Sequence, residues 1–251
     1  MPQVTIIGGG IAGLATAFYL QQLTPPDASI NYSVIESSPH FGGKVVTDVV
    51  DSFVIEGGPD SFLTQKPWAK TLCLELGLAD RLIPTNDHKR NVFFLNNGKL
   101  VPFPGGFRLT IPTEVGPFLS SPLISPLGKL RMGLDWVVPA RRDSSDESLA
   151  TFVRRRLGQE ALDKIAGPMM AGIYMADPER LSIQSTFPTF AEMERKNGSL
   201  IRAMQSVKKE AAKKRGDSAP PPMFLSLKGG MNELINTLVE KLEGSLYTNC
   251  R

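Results

Sequence analysis

The sequence "QVTIIGGGIAGLATAFYLQQL", residues 3 to 23, joins a short apolar segment to a longer amphipathic one through a glycine-rich turn. The segment from Val4 to Ile7 is apolar and partly β-branched, which is typical of a buried strand in a parallel sheet. The apolar residues after the glycines recur at helical spacing. The stretch therefore predicts a strand, a tight turn and a helix.

Gly8, Gly10 and Gly13 give this turn the spacing G-x-G-x-x-G. In such a unit the first glycine allows the tight turn, the second lets a pyrophosphate approach the backbone, and the third lets the helix pack on the strand. The helix start, at Ile11 and Ala12, then offers free amides and a partial positive charge to the phosphates. The pattern predicts a dinucleotide-binding unit.

A second strand is predicted at "INYSVIE", residues 30 to 36, after a helix that Pro25 and Pro26 end. Glu36 closes this strand about 20 residues after Gly13, where an acid that binds the adenosine ribose is expected. No arginine follows Glu36 closely, which disfavours a 2′-phosphate. The alternative interpretation is a glycine-rich turn that ends in an unrelated surface acid.

Two glycine pairs flank two β-rich segments in "ESSPHFGGKVVTDVVDSFVIEGGPDSF", residues 36 to 62, where a plain NAD domain would alternate strands and helices. The β-rich segments are residues 44–50 and 53–56. The residues that carry the pattern are Gly42, Gly43, Lys44, Gly57, Gly58 and Pro59. Glycine costs chain entropy, so we expect that some group approaches the bare backbone here. The alternative is two ordinary hairpin turns.

The order E-x5-G-G-K, strand, acid-Gly-Gly-Pro resembles the flavin amine oxidase superfamily. Two later segments, "IEGGPDSFLTQKPWAKTLCLELGLADRL" (55–82) and "GPMMAGIYMADPERLSIQSTFPTFAEMERKNGSLI" (167–201), resemble its FAD-dependent porphyrinogen oxidases. The resemblance covers essentially the whole chain. It implies an α/β fold, with a Rossmann-like FAD-binding domain and an inserted, mainly helical domain for substrate and membrane contact. The domains it implies are 1–77 (FAD-binding, first part), 78–225 (substrate-binding and helical) and 226–251 (return to the FAD-binding domain).

The resemblance also implies where the ligands bind. Lys44 and the glycines beside it would hold the FAD pyrophosphate, and the flavin ring would lie near Gly57, Gly58 and Pro59. Arg90 matches an arginine that holds a substrate propionate, and Gly172 matches a glycine that lines the active site. The alternatives are a solvated loop arginine and a helix-capping or packing glycine.

The implied reaction is the oxidation of coproporphyrinogen III or protoporphyrinogen IX to the porphyrin in haem biosynthesis. Three hydride transfers to the flavin, each followed by reoxidation with O2, would remove six electrons. The residues do not choose between the two porphyrinogens, and they indicate no catalytic base. Two other readings stay open: a carotenoid desaturase or amine oxidase with the same front motifs, and a non-catalytic binding protein on this scaffold. Members of the family are about twice as long, so we expect this chain to be the amino-terminal portion of such a protein. The sequence does not indicate whether this portion is active by itself.

The composition limits the classes of binding partner that the chain can have. A net charge of +3 is too small to indicate nucleic acid, and 21% charged residues suit a soluble globular protein. Cys73 and Cys250 lack metal or redox spacing, so we expect a reducing cytoplasm and no bound metal.

Residues 103–134 combine prolines, apolar residues and basic residues. This composition predicts short helices that form a lid over the substrate, a peripheral contact with the inner face of the cell membrane, or both. The sequence carries no signal of the oligomeric state.

Two charged segments are predicted to be exposed to solvent. The run Arg154–Arg156 is predicted to lie on a solvated helix face. Residues 208–222, charged and then rich in proline, are predicted to form an exposed loop. His40 and His88 have no partner at ligand spacing and are predicted to be surface groups.

Overall fold

A computed structural model describes residues 2–25, 27–28, 30–86, 92–96, 98–105, 107–108, 111–112, 114–143, 145–215 and 222–250. The chain divides into two compact units. The first unit comprises Met1–Lys89 and Pro220–Arg251, and the second unit comprises Arg90–Ala219. Each unit has its own hydrophobic core.

The strands, in chain order, are β1 (Gln3–Ile7), β2 (Asn31–Ile35), β3 (Thr47–Val50), β4 (Phe53–Glu56), β5 (Phe62–Leu63), β6 (Leu82–Pro84), β7 (Phe93–Asn96), β8 (Lys99–Pro102), β9 (Phe107–Arg108), β10 (Ile111–Pro112), β11 (Phe224–Leu227) and β12 (Ser245–Tyr247).

The helices are α1 (Ile11–Leu23), α2 (Pro67–Glu75), α3 (Val115–Ser120), α4 (Pro126–Gly133), α5 (Leu149–Leu157), α6 (Gln159–Ala161), α7 (Gly167–Tyr174), α8 (Ile183–Thr186), α9 (Pro188–Asn197), α10 (Leu200–Arg215) and α11 (Asn232–Lys241). Single 3-10 turns lie at Ala79–Arg81 and Leu134–Trp136, and a π-helical turn at Leu162–Ala166 joins α6 to α7.

A parallel sheet in the order β1-β2-β12 forms the centre of the first unit. In its register Val4 pairs with Tyr32 and Leu246 pairs with Val34. Helix α1 connects β1 to β2, because two neighbouring parallel strands need a crossover connection of a dozen or more residues. Its buried residues Leu14 and Phe18 belong to the same core as Val34. The predicted strand, turn, helix and second strand are confirmed.

Two antiparallel arrangements complete the first unit. Strands β3 and β4 form a hairpin, and β11 lies between β5 and β6. Helix α11 packs against the core through Leu234, Ile235 and Leu238. Strand β11, the turn at Gly229 and Gly230, helix α11 and strand β12 thus follow one another in this part of the unit.

Helices dominate the second unit, together with the hairpins β7-β8 and β9-β10. Its core gathers buried residues of α5, the π-helical turn and α10, among them Phe152, Ile165 and Leu200. The side chains of Ser125 and Ser148 cap α4 and α5 by accepting amide hydrogen bonds. The short helices predicted between residues 103 and 134 are present as α3 and α4.

The prediction of a solvated arginine run is wrong at Arg156. This side chain is fully buried and forms an ion pair with the equally buried Asp135 at 2.5 Å. Asp135 also accepts hydrogen bonds from the Ser199 hydroxyl and the Ile201 amide, so its charge stays compensated. The network joins the start of α10 to α5. Every third to fourth residue of α5 must face the core, and Arg156 falls on that face beside Phe152 and Val153.

The loop predicted from residue 208 begins later than expected. Helix α10 continues to Arg215, because a run of lysine, glutamate and alanine favours helix as strongly as it favours exposure. Over the described ranges, no helix is long and apolar enough to cross a bilayer.

Candidate functional site

The first glycine loop joins β1 to α1. Gly8 has φ +101°, a left-handed conformation that favours glycine, and its amide donates to the Ile35 carbonyl of the neighbouring strand at 2.8 Å. A Cβ on Gly13 would overlap the Gly8 carbonyl oxygen, so the third glycine allows α1 to lie close to the end of β1. Both glycines therefore have the local roles that the sequence predicts for them.

The start of α1 leaves its amides available. Gly10 occupies the N-cap position without a side-chain cap, and the helical hydrogen bonds begin with the Leu14 amide donating to Gly10. Within the described residues, the amides of Ile11, Ala12 and Gly13 donate to no acceptor. These three donors, with the positive end of the helix dipole, suit a phosphate.

Glu36 lies at the end of β2, beside this loop. Its carboxylate accepts hydrogen bonds from the Gly9 amide at 2.7 Å, the Ser38 amide at 2.8 Å and the Ser38 hydroxyl at 2.7 Å. The bonds from the Ser38 amide and hydroxyl, and then the bond from the Gly9 amide, lower the pKa of Glu36 from 4.5 to about 2. The carboxylate is thus ionised and fixed in orientation at neutral pH, as an acceptor of ribose hydroxyls must be.

The pair Gly42 and Gly43 touches the first glycine loop. The Gly42 amide donates to the Gly9 carbonyl at 2.8 Å, and Gly10 and Gly42 form an isolated parallel bridge. A Cβ built on Gly43 would lie 3.3 Å from the Cα of Gly10. Gly42 has φ +113° as well. The sequence predicts that some group approaches the backbone at these glycines. The first glycine loop is one such group.

Lys44 follows this contact and is exposed. Its ammonium group makes no hydrogen bond or ion pair with any described residue, so the cation is available to a ligand. Lys44 stands directly beside Gly43, which lies against Gly10 of the first loop. One cation and the open amides of α1 therefore belong to the same pair of touching loops.

The pair Gly57 and Gly58 follows β4 and lies on the surface with Pro59. The Gly57 amide donates to the Val46 carbonyl at 2.8 Å, and a Cβ on Gly58 would overlap the Lys44 carbonyl oxygen. The chain itself thus accounts for Gly58, which must let the two arms of the hairpin meet. The pair is nevertheless carried by the same hairpin that begins at Lys44.

The end of β12 adds two residues that sequence reasoning missed. The Asn249 amide donates to the Ser38 carbonyl, and the Cys250 amide donates to the Glu36 carbonyl, at 3.1 and 3.0 Å. The signal was available in principle, because the carboxyl ends of neighbouring parallel strands meet at one edge of a sheet. It could not be used without knowing that β12 pairs with β2.

The two residues predicted to bind substrate have different outcomes. Arg90 lies outside the described residues. Gly172 lies within α7, three residues before the left-handed C-cap at Met175, so it does not cap the helix. A Cβ on Gly172 would meet no atom within 4 Å, so packing does not require glycine there either. Among the described residues, neither structural alternative for Gly172 finds support, and its assignment to the substrate stays a prediction.

No group of three or more His, Cys, Asp or Glu residues with metal-binding geometry occurs in the described part of the chain. His40 is exposed. Burial raises the pKa of the Cys73 thiol to about 11, so this thiol is inert. The groups that the two touching glycine loops offer to a ligand are therefore backbone amides, the Glu36 carboxylate and the Lys44 ammonium.

These residues fit an anionic dinucleotide. A family model described as "Flavin containing amine oxidoreductase" matches residues 11–251, and the chain belongs to this family. The expected family, its flavin and the flavin amine oxidase-type fold of mixed helices and strands are confirmed. The assignment of individual residues to FAD or to substrate stays a prediction.

The relatives within the family are more specific. The chain is 38% identical over 244 residues to the coproporphyrinogen III oxidase of Bacillus subtilis (strain 168), covering 97% of this chain and 51% of that protein. It is 39% identical to the enzyme of the same name from Staphylococcus aureus, covering 98% of this chain and 52% of that protein. A crystal structure from Exiguobacterium sp. 255-15, named as a candidate protoporphyrinogen oxidase, matches with TM-score 0.83 and 32% identity over 99% of this chain and 52% of that one. The chain thus spans about half the length of these relatives.

Replacing Glu36 by Gln is expected to lower the free energy of unfolding at neutral pH, because the bonds from Ser38 and Gly9 favour the ionised carboxylate. The folded-state pKa lies below the ordinary value, so this contribution is fully present above about pH 4.5 and is lost as the pH falls toward 2. Urea unfolding of both proteins between about pH 3 and pH 7 measures the difference.

Glu240→Gln is the matched control, since the Glu240 carboxylate makes no hydrogen bond with a described residue. Its effect should not change over this pH range. A difference between wild type and Glu36→Gln that stays constant down to about pH 3 would contradict the role given to Ser38 and Gly9.

Proposed function

We propose that the chain is the cofactor- and substrate-binding part of an FAD-dependent oxidase that converts a porphyrinogen to the porphyrin with O2 as the acceptor. The observation that carries the proposal is the convergence of two glycine loops, an ionised Glu36 and a free Lys44 in a chain 38–39% identical to two coproporphyrinogen III oxidases. The identity to a plant protoporphyrinogen oxidase is 34%. Coproporphyrinogen III is therefore the preferred substrate, and protoporphyrinogen IX is the alternative.

The proposed FAD contacts follow from the available groups. The open amides of Ile11, Ala12 and Gly13 would donate to the pyrophosphate, and Lys44 would neutralise its charge. Glu36 would accept hydrogen bonds from the ribose hydroxyls. Gly8, Gly10, Gly42 and Gly43 would keep side chains away from the phosphates, and residues 57–59 would lie near the ring system.

Bound FAD would supply the hydride acceptor and pass the electrons to O2, giving hydrogen peroxide. The protein would supply position. Gly172 presents an exposed, side-chain-free surface on α7, which suits close approach of a bulky tetrapyrrole. Arg90 would bind a propionate as a bidentate guanidinium. We assign no residue as a base.

The first test uses the protein as encoded in full. Purified protein is expected to be yellow, with flavin absorbance, and to generate porphyrin fluorescence from coproporphyrinogen III at a higher kcat/KM than from protoporphyrinogen IX. A colourless protein that FAD does not reconstitute would favour the non-catalytic binding protein. Oxidation of amines or carotenoids without porphyrin formation would favour the other flavoenzymes.

The second test separates the role of Gly172 from helix stability. Gly172→Ala should leave the folded state as stable or stabilise it by up to about 1 kcal/mol, because alanine favours helix and the added methyl meets nothing. It should nevertheless lower kcat/KM for coproporphyrinogen III about tenfold, by filling space kept for the substrate. Thermal unfolding and steady-state kinetics measure the two effects.

Gly116→Ala is the control, because Gly116 is also helical and an added Cβ there also meets no atom within 4 Å. Its kcat/KM should equal that of the wild type. Equal kcat/KM for both variants would contradict a substrate contact at Gly172.

We also propose that the second unit contacts an anionic membrane surface. Leu119, Leu127, Leu130 and Val137 are exposed by 58–79%, around a groove that continues to Trp136. The guanidinium of Arg202 lies 5.4 Å from the Trp136 ring centroid, so a cation borders the apolar surface. Apolar side chains rimmed by cations suit a bilayer interface whose lipids are acidic.

Co-sedimentation with phosphatidylglycerol vesicles is expected for the wild type and should fall at high salt. The double variant Leu127→Ser/Leu130→Ser should bind several-fold less. The control Leu95→Ser changes an equally exposed leucine outside this groove and should bind like the wild type. Equal sedimentation of all three proteins would contradict the proposal.

A further inference from the structure

A cavity of about 420 Å³ opens on the surface of the first unit. Helix α11 forms one wall, and residues 40–41 and 45–47, on either side of the pair Gly42 and Gly43, form the other. Its volume lies within the range of small-molecule sites, about 300–1,000 Å³. The described residues along its walls do not include Lys44 or the start of α1, so the cavity is separate from the proposed FAD contacts.

The inner surface of the cavity is apolar. Ile235 and Val45 are buried, and the half-buried Phe41 and Val239 continue the same surface. Ile235 and Val239 lie one turn apart on α11, so both side chains fall on the same face of the helix. An apolar body that entered the cavity would remove its own surface and this lining from water together, which is favourable.

An unpaired carboxylate lies at the edge of the cavity. Glu240 is exposed, and its carboxylate makes no hydrogen bond or ion pair with any described residue. It belongs to the last turn of α11, where the helix dipole adds partial negative charge. Among the described residues that line the cavity there is no lysine or arginine, and Lys241, the next residue of the helix, is not one of them. The local charge therefore favours a cation over an anion.

The walls of the cavity also touch both glycine loops. A Cβ on Gly9 would overlap the Phe41 ring, and a Cβ on Gly42 would lie 3.3 Å from the Ile235 side chain. The Gly9 amide is the one that bonds to the Glu36 carboxylate. Two side chains that line the cavity therefore pack directly behind the backbone of the proposed FAD site.

We propose that this cavity is a second ligand site, which takes an organic ammonium ion on an aromatic or other apolar body, and that its occupation tightens the binding of FAD. The ammonium would pair with Glu240, and the apolar body would cover Phe41 and Ile235. A filled cavity would hold these side chains against the two loops, so less entropy is lost when the cofactor binds. The effect on FAD rests on the proposed function, whereas the ammonium site does not.

Isothermal titration calorimetry of the protein as encoded in full, without FAD, measures the site by itself. The probes are tryptamine, a protonated amine on an indole, and indole-3-ethanol, its neutral isostere. Tryptamine is expected to bind about fivefold more tightly, because only the cation pairs with the exposed Glu240. Glu240→Gln should raise the Kd of tryptamine about fivefold and keep that of indole-3-ethanol within about twofold.

Two further variants test the location. Glu243→Gln is the matched control, because Glu243 is also exposed, its carboxylate bonds to no described residue, and it does not line the cavity. It should bind both probes like the wild type. Asn236→Trp places a large ring at an exposed position of the cavity wall, so it should abolish binding of both probes and leave the melting temperature near that of the wild type.

Quenching of flavin fluorescence measures the coupling. Saturating tryptamine is expected to lower the Kd of FAD about fivefold in the wild type and to have no effect in Asn236→Trp. By linkage, FAD must lower the Kd of tryptamine by the same factor. An FAD affinity that tryptamine leaves unchanged would overturn the coupling.

Three other results decide between the hypotheses. Equal tryptamine affinity of the wild type and Glu240→Gln would overturn the ammonium site. Anaerobic bleaching of bound flavin by tryptamine that persists in Asn236→Trp would also overturn it, because the amine would then be bound at the flavin. A protein that binds tryptamine through Glu240 but does not bind FAD would support the ammonium site and overturn both the coupling and the proposed function.

Discussion

The first unit depends on the approach of backbone to backbone at its glycine loops. Gly13 brings α1 against the Gly8 carbonyl, and Gly42 and Gly43 bring the second loop against Gly9 and Gly10. A single Cβ at Gly13 would separate the helix from the end of β1. The position of Glu36, which bonds to the Gly9 amide, follows from the same close packing. The candidate cofactor site therefore depends on the absence of side chains at these glycines.

The same close packing also keeps the Glu36 carboxylate ionised and fixed in orientation. Three hydrogen bonds from Gly9 and Ser38 hold the carboxylate ionised before any ligand arrives. The β12 end reinforces the arrangement, because Asn249 and Cys250 bond to the backbone of the same short segment. Fixing a binding group in advance lowers the entropy lost on association.

Local patterns predicted the glycine loops well, because the spacing of glycines encodes a backbone geometry directly. They predicted less where the reason for a residue is a distant partner. The Lys44 carbonyl requires glycine at position 58, and the spacing of the glycines alone does not reveal this contact. Arg156 was expected in solvent, because nothing in "RRR" shows that Asp135 is buried opposite it. Asn249 and Cys250 were missed, since their role depends on which strand β12 pairs with.

Cys73 has a consequence for an enzyme of the proposed kind. Each round of the proposed oxidation would release hydrogen peroxide close to the protein itself. Peroxide oxidises thiolates. A thiol with a pKa of about 11 is a thiolate in only about one molecule in ten thousand at neutral pH. Cys73 also has no solvent-exposed surface. Burial in the core would thus protect this thiol from peroxide in an enzyme of the proposed kind.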